Sequence, residues 1–159
     1  MDSGNLSQQQ KGISTWQPFS QQSIQKAPRQ SGVYIIRMGD GQCFGRLKGA
    51  SDILYIGSSK AKGGLRQRLM HYFHPGPTQF TNIRINEFMK RYQTEIAWLM
   101  ADEPVSLEHD LLRQYLKDHD EFPPLNLADI RRLYKSVRDK ITLTDTVSVT
   151  KTQVKPHDE

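Results

Sequence analysis

Two tripeptides, Gly32-Val33-Tyr34 and Tyr55-Ile56-Gly57, constrain this chain more than anything else in it. Each lies in a β-type run, Val33-Tyr34-Ile35-Ile36 and Ile53-Leu54-Tyr55-Ile56, with turn-forming residues between the two. A strand alternates faces with a period of two. Tyr34 should therefore share a face with Ile36, and Tyr55 with Ile53, and an antiparallel register can set both phenols on one side. The connection from Gly39-Asp40-Gly41 to Ser51-Asp52 is longer than a tight hairpin needs. It reads as an elaborated loop or a pair of short extra strands, and it should carry Arg46 and Lys48 towards the tyrosines.

Downstream, Leu65, Leu69, Tyr72 and Phe73 recur at helical spacing and predict a helix over 64–73, flanked by Arg66 and Arg68 and stopped by His74-Pro75-Gly76-Pro77. Asn82 suggests the cap of a second helix, with Ile83, Ile85, Phe88, Met89 and Tyr92 apolar and Arg84, Lys90 and Arg91 outside. Thr94 to Met100 reads as a third strand, expected to be the most buried. Pro104 suits the first turn of the longest helix, whose apolar stripe is Leu107, Leu111, Leu112, Tyr115 and Leu116. Glu108 borders that stripe, so its carboxylate should be half-buried or at the rim of a cleft. Pro123-Pro124 must end the helix and lead into Leu125-Asn126. The predicted order β-β-α-α-β-α makes an α+β domain with a small sheet.

This domain is expected over 31–127. Residues 1–30, with Trp16, Phe19 and Ile24 as isolated apolar anchors, read as a polar, mostly flexible arm of which part docks. Residues 128–140 predict a peripheral basic helix, and 141–159 a polar tail. The lone Cys43 rules out an intrachain disulfide and a cysteine zinc site. With no apolar leader and no run long enough for a bilayer, a soluble, cytoplasmic protein without membrane attachment is expected. A formal net charge of +5 fits a polyanionic partner without requiring one.

The basic stretch Lys60, Lys62, Arg66 and Arg68 follows the second strand, and Gly63-Gly64 would allow close approach of a phosphate. Arg68 and Tyr72 stand one helical turn apart and project together. Glu108 alone is no closed metal cage, but it suits Mg²⁺, which keeps several waters and takes few carboxylates. Taken singly, the tyrosines would default to core aromatics, the basic residues to a solvated face, and Asn126 to a turn residue. No nucleophile elbow, Walker loop or dinucleotide fingerprint is present.

As an ordered set, Gly32-Val33-Tyr34, Tyr55-Ile56-Gly57, Arg68 with Tyr72, Glu108 within Leu-Glu-His-Asp-Leu-Leu, and Pro124-Leu125-Asn126 resemble the GIY-YIG nuclease family. The resemblance implies a three-stranded antiparallel sheet flanked by helices and metal-dependent hydrolysis of DNA phosphodiesters. By the same resemblance, Tyr34 and Tyr55 flank the attacking water, Arg68 stabilises charge at the scissile phosphate, and Tyr72 is a hydrogen-bonding neighbour. Glu108 would hold Mg²⁺, or Mn²⁺ in its place, and Asn126 would support the architecture. Lys60, Lys62, Arg66, Arg84 and Arg91 are the expected nucleic-acid contacts. Val33 replaces the family's isoleucine, and Ser58 stands where some repair-type members have a lysine, a role open to Lys60 or Lys62. A restriction or repair-type nuclease and a catalytically silent nucleic-acid-binding module are the alternatives. With no appended reader in the sequence, target choice would fall to the loop 39–52, the tails, a protein partner or a homodimer. All of this requires the phenols, the guanidinium and the carboxylate to converge. A carboxylate beyond the sheet from Arg68 would defeat it.

Overall fold

The strand runs and helical stripes form as their periodicities dictate, in a computed structural model that describes residues 12–127. In chain order the elements are β1 (Gln17–Pro18), α1 (Gln21–Ile24), β2 (Gly32–Met38), β3 (Phe44–Gly45), β4 (Ala50–Ser51), β5 (Ile53–Ser59), α2 (Gly64–Met70), α3 (Phe80–Arg91), β6 (Thr94–Met100) and α4 (Pro104–His119). The expected helix 128–140, the tail 141–159 and residues 1–11 of the arm lie outside the described residues.

The main sheet has four strands, in the order β1-β6-β2-β5, and each pairing is antiparallel. The extra strand over the three expected comes from the arm: Gln17 and Pro18 pair with Ile96 and Glu95. Of that arm, residues 12–30 pack against the domain, with Phe19, Ile24 and Ala27 buried. Burial of these few apolar groups, together with the edge pairing, offsets an ordering cost that the segment could not meet alone.

β2 is central, with β5 and β6 on either side, and it is more continuously buried than β6, contrary to expectation. The reason is that helices cover both faces. Tyr34, Ile36 and Met38 join Leu65, Leu69, Tyr72 and Ile85 in one core, whereas Val33 and Ile35 join Leu111, Leu112 and Tyr115 of α4 in the other. The sheet therefore separates α2 and α3 from α4.

The connection 39–52 folds as the short antiparallel pair β3-β4. It does not bring Arg46 or Lys48 to the tyrosines. Arg46 pairs with Glu121 at 2.9 Å and donates to the Phe122 carbonyl, while the Lys48 carbonyl meets His119. Both anchor the hairpin to the far end of α4. That helix stops at Asp120, whose left-handed φ of 58° breaks the αR run before the prolines are reached.

Candidate active site

Register decides which side chains meet. Tyr34 lies opposite Gly57, and Ile36 opposite Tyr55, so Tyr55 shares the face of Tyr34. Pairing then slips between Ile36 and Arg37, which faces Ile53. Leu54 is the extra residue of this bulge. Ile53 and Tyr55 consequently join opposite cores, which corrects the simple alternation expected for this strand. Gly57 leaves room for the ring across from it: a Cβ there would stand 2.6 Å from Tyr34 Cζ and Oη and 2.7 Å from Tyr55 Cε1. At Gly32, any Cβ would collide with the Leu99 carbonyl on β6.

Tyr34, Tyr55 and Tyr72 form a triangle of rings, with centroids 6.1, 6.1 and 6.3 Å apart. Tyr34 Oη and Tyr72 Oη are hydrogen-bonded at 2.5 Å. Arg68, one turn before Tyr72, donates from Nη2 to Tyr72 Oη at 3.2 Å, and its Cζ lies 4.9 Å from that ring's centroid. Tyr34 and Tyr72 are fully buried, whereas Tyr55 and Arg68 retain solvent access. The sequence-predicted tyrosines and arginine are thus one hydrogen-bonded cluster.

Glu108 arrives from the other side. α4 packs on the sheet face opposite α2, but Glu108 lies over β5, an edge strand, where it accepts a hydrogen bond from Ser58 Oγ. Ser58 pairs with Val33 and so faces α4. Glu108 thus rises on the α4 face of the sheet, the face opposite Arg68, which is the placement that counts against the expected convergence; what links it to the cluster is its position over the edge strand that also carries Tyr55. Burial raises the Glu108 carboxyl above its ordinary 4.5, while the Ser58 hydroxyl and the Arg68 charge pull it back down.

The phenols respond to the same surroundings. Burial pushes Tyr34, Tyr55 and Tyr72 above the ordinary 10.0. Arg68 opposes that rise at Tyr55, and Glu108 adds to it. Burial also works against the Arg68 charge, but the phenols around it more than compensate, and its net shift is upward. In the ligand-free protein desolvation outweighs the single guanidinium, so Arg68 alone does not draw a phenol of the cluster towards phenolate.

Asn126 braces β5. Its Oδ1 accepts from Ile56 N–H at 3.0 Å and its Nδ2 donates to the Ile56 carbonyl at 2.8 Å. Leu125 N–H meets the Leu54 carbonyl at 3.0 Å. The side-chain amide thus replaces a neighbouring strand at the free edge, between Tyr55 and Gly57.

The expected basic contacts separate. Lys60 and Lys62 are exposed in the loop after β5. Arg66 is diverted in part, since its Nε donates to the Ala27 carbonyl at 2.8 Å. Gly63-Gly64 does not cradle a phosphate: Gly64, at φ +62°, lets the chain's own Arg29-Gln30 backbone cross. The first amides of α2, Leu65 and Arg66, donate to the carbonyls of Gln30 and Pro28. Arg84 lines a groove of about 610 Å³ together with Arg68, Phe80, Asn82, Leu125 and Leu127. Arg91 lines a different groove, beside Asp40 and Glu95.

Two contributors escape sequence reasoning. Ser58 is legible as a partner for Glu108 only through the β2–β5 register. Asn82, expected as a cap, is buried inside α3 because that helix begins at Phe80, with Gln79 as N-cap. From there its Oδ1 accepts from Arg68 Nη1 at 3.3 Å while its Nδ2 donates to Gln79 Oε1. It orients the guanidinium from the side away from Tyr72.

Among the described residues no group of three or more His, Cys, Asp or Glu could hold a metal, and no helix is long and apolar enough to cross a membrane. Comparison of the chain with models of known families, with curated proteins and with solved structures gave no match.

Proposed function

We propose that this chain is a metal-dependent endonuclease of the GIY-YIG type that hydrolyses DNA phosphodiester bonds. The reading is carried by one observation: Tyr34, Tyr55, Tyr72 and Arg68 form a single cluster, and Glu108 stands over the edge strand that carries Tyr55, hydrogen-bonded to its Ser58. In phosphoryl transfer, catalysis is mostly positioning plus stabilisation of charge on the phosphoryl oxygens. Arg68, held by Asn82 and Tyr72 and kept charged, is built to receive one of those oxygens. Tyr55, the half-buried tyrosine of the cluster, holds the attacking water in line through its Oη. Its proton stays on Oη at neutral pH, so Tyr55 orients the water by hydrogen bonding and does not begin as phenolate. Tyr34 and Tyr72 are too buried to touch substrate, and they fix Arg68 and the Tyr55 ring.

The donor set fits a hydrated divalent ion. Glu108 is half-buried, with one hydroxyl donor and a raised carboxyl, a negative charge that its surroundings compensate incompletely. Mg²⁺ held largely by water needs only one or two carboxylates, and Mn²⁺ meets the same requirement. Such an ion, when bound, supplies Lewis-acid stabilisation of the phosphate and a more acidic water.

Plasmid nicking with and without Mg²⁺, by the wild type and Glu108→Ala, is the test. Metal-dependent nicking by the wild type alone is expected; DNA retained in a gel but never cut would remove the enzyme. That second outcome is the reading of a silent nucleic-acid-binding module, favoured by the unfavourable setting for phenolate. A restriction-type enzyme would cut by sequence, and a repair-type enzyme by DNA structure. An intracellular site of action belongs to the same proposal, as does targeting by a protein partner or a homodimer.

A further inference from the structure

Phe80 is out of place for an apolar residue. It is the first residue of α3, its side chain is 78% exposed, and no other exposed large apolar residue among those described is more open to solvent. Isolated exposed apolar residues are ordinary. This one lines the 610 Å³ groove with Arg68 and Arg84. Arg84 is exposed, its side chain has no ion pair or hydrogen bond among the described residues, and Leu127 adds a second, 39% exposed apolar group to the same wall. Among the described residues, no acidic one lines the groove.

An aromatic face open to solvent, in one groove with Arg84 and with the Arg68 of the candidate catalytic cluster, has the chemistry of a stacking platform for an unpaired base. Protein surfaces that hold unpaired nucleic acid pair a basic, backbone-tracking groove with aromatic rings on which bases stack. A fully paired duplex presents phosphates to such a groove but no free base face to the ring. We infer that Phe80 stacks on an unpaired DNA base while Arg84 holds a neighbouring phosphate, so that this groove selects branched or single-stranded targets. The inference rests on the nuclease reading and deepens it: the same site would cut at junctions between paired and unpaired DNA. Sequence-dependent choice among intact duplexes is not what this groove provides.

Full-length protein without divalent metal is titrated with a blunt duplex and with a duplex bearing a single-stranded branch. 2-aminopurine in the first unpaired position of the branch reports stacking. The wild type should bind the branched DNA more tightly and quench the 2-aminopurine. Phe80→Ala should lose the quenching and weaken branched binding by roughly 5- to 150-fold, the range for one stacked base, with blunt-duplex binding little changed. Phe80→Trp should retain both effects, and Phe80→Leu neither. Arg84→Ala should weaken both DNAs alike and reduce the slope of log K against log salt by about 1. Quenching and branch preference that survive Phe80→Ala would overturn the inference, as would a wild type without preference. A fall in melting temperature of several degrees in DNA-free Phe80→Ala would show the ring covered by this chain, and a dimer that Phe80→Ala dissolves would give the groove to a second copy. Either result overturns it. Absence of binding to every DNA would remove the nuclease reading itself.

Discussion

Arg68 donates to Tyr72 from one nitrogen and to Asn82 from another, and a lysine ammonium cannot span both with a planar fork. Arg68→Lys should therefore lower kcat/KM for nicking by about 10²–10³, the usual loss for a transition-state donor, while metal-free DNA affinity changes by less than about tenfold. Loss confined to affinity would show that the guanidinium only binds. Glu108 carries the opposite balance of stability and function. Its folded pKa is raised, chiefly by burial. The protonated form suits the folded state, so the associated stability is present below the unfolded value of 4.5 and lost as pH rises through the folded pKa. Glu108→Gln keeps the shape and an acceptor for Ser58. It should stabilise the metal-free protein by about 0.5–1 kcal/mol at pH 7, the usual scale of relief at a functional site, and abolish nicking. The gain should vanish in urea titrations below pH 4.5.

At the scale of the strand, β5 is the vulnerable element because it carries Tyr55 at a bulged edge. Asn126 supplies hydrogen bonds to both backbone groups of Ile56, and Asn126→Ala leaves them unpaired in a site where Ile56 is 2% exposed. The cost should be about 2–4 kcal/mol, from two buried groups left without partners, with faster hydrogen exchange at the Ile56 amide. Gly57→Ala forces a methyl into the Tyr34 and Tyr55 rings and should cost about 1–3 kcal/mol by overpacking. Pairing it with Tyr34→Leu should recover part of that loss in a double-mutant cycle. Strict additivity would mean that the Tyr34 ring is not what excludes a side chain at 57.

Across the whole molecule, the amino-terminal segment is part of the core. Phe19 packs edge-on against Tyr72 at 6.0 Å and Phe73 at 5.4 Å, and its amide donates to the Thr94 carbonyl. Phe19→Ala should cost about 3–5 kcal/mol by cavity formation, read from the urea midpoint, because the emptied space adjoins the face that holds Tyr72. A change below 1 kcal/mol would mean that this segment contributes no core.

The positions of β2, β5, β6 and α4 were legible in the chain, because period-two and helical stripes act over a few residues and Pro104 and Gly57 punctuate them locally; β1 and α1 of the arm were not, and the cluster residues were singled out by the family resemblance. The helix at 64–73 proved shorter at its end, and Asn82 moved from cap to interior, since helix termini depend on what packs there. Local sequence determined which elements the candidate residues ride on. Only tertiary structure decided the rest: the bulge that turns Ile53 away from the Tyr55 face, the crossing of Arg29-Gln30 that fills the Gly64 gap, and the sheet edge where Glu108 meets Ser58. The physical reason is that register, backbone crossings and electrostatic reach depend on contacts between residues distant in sequence, which no local periodicity encodes.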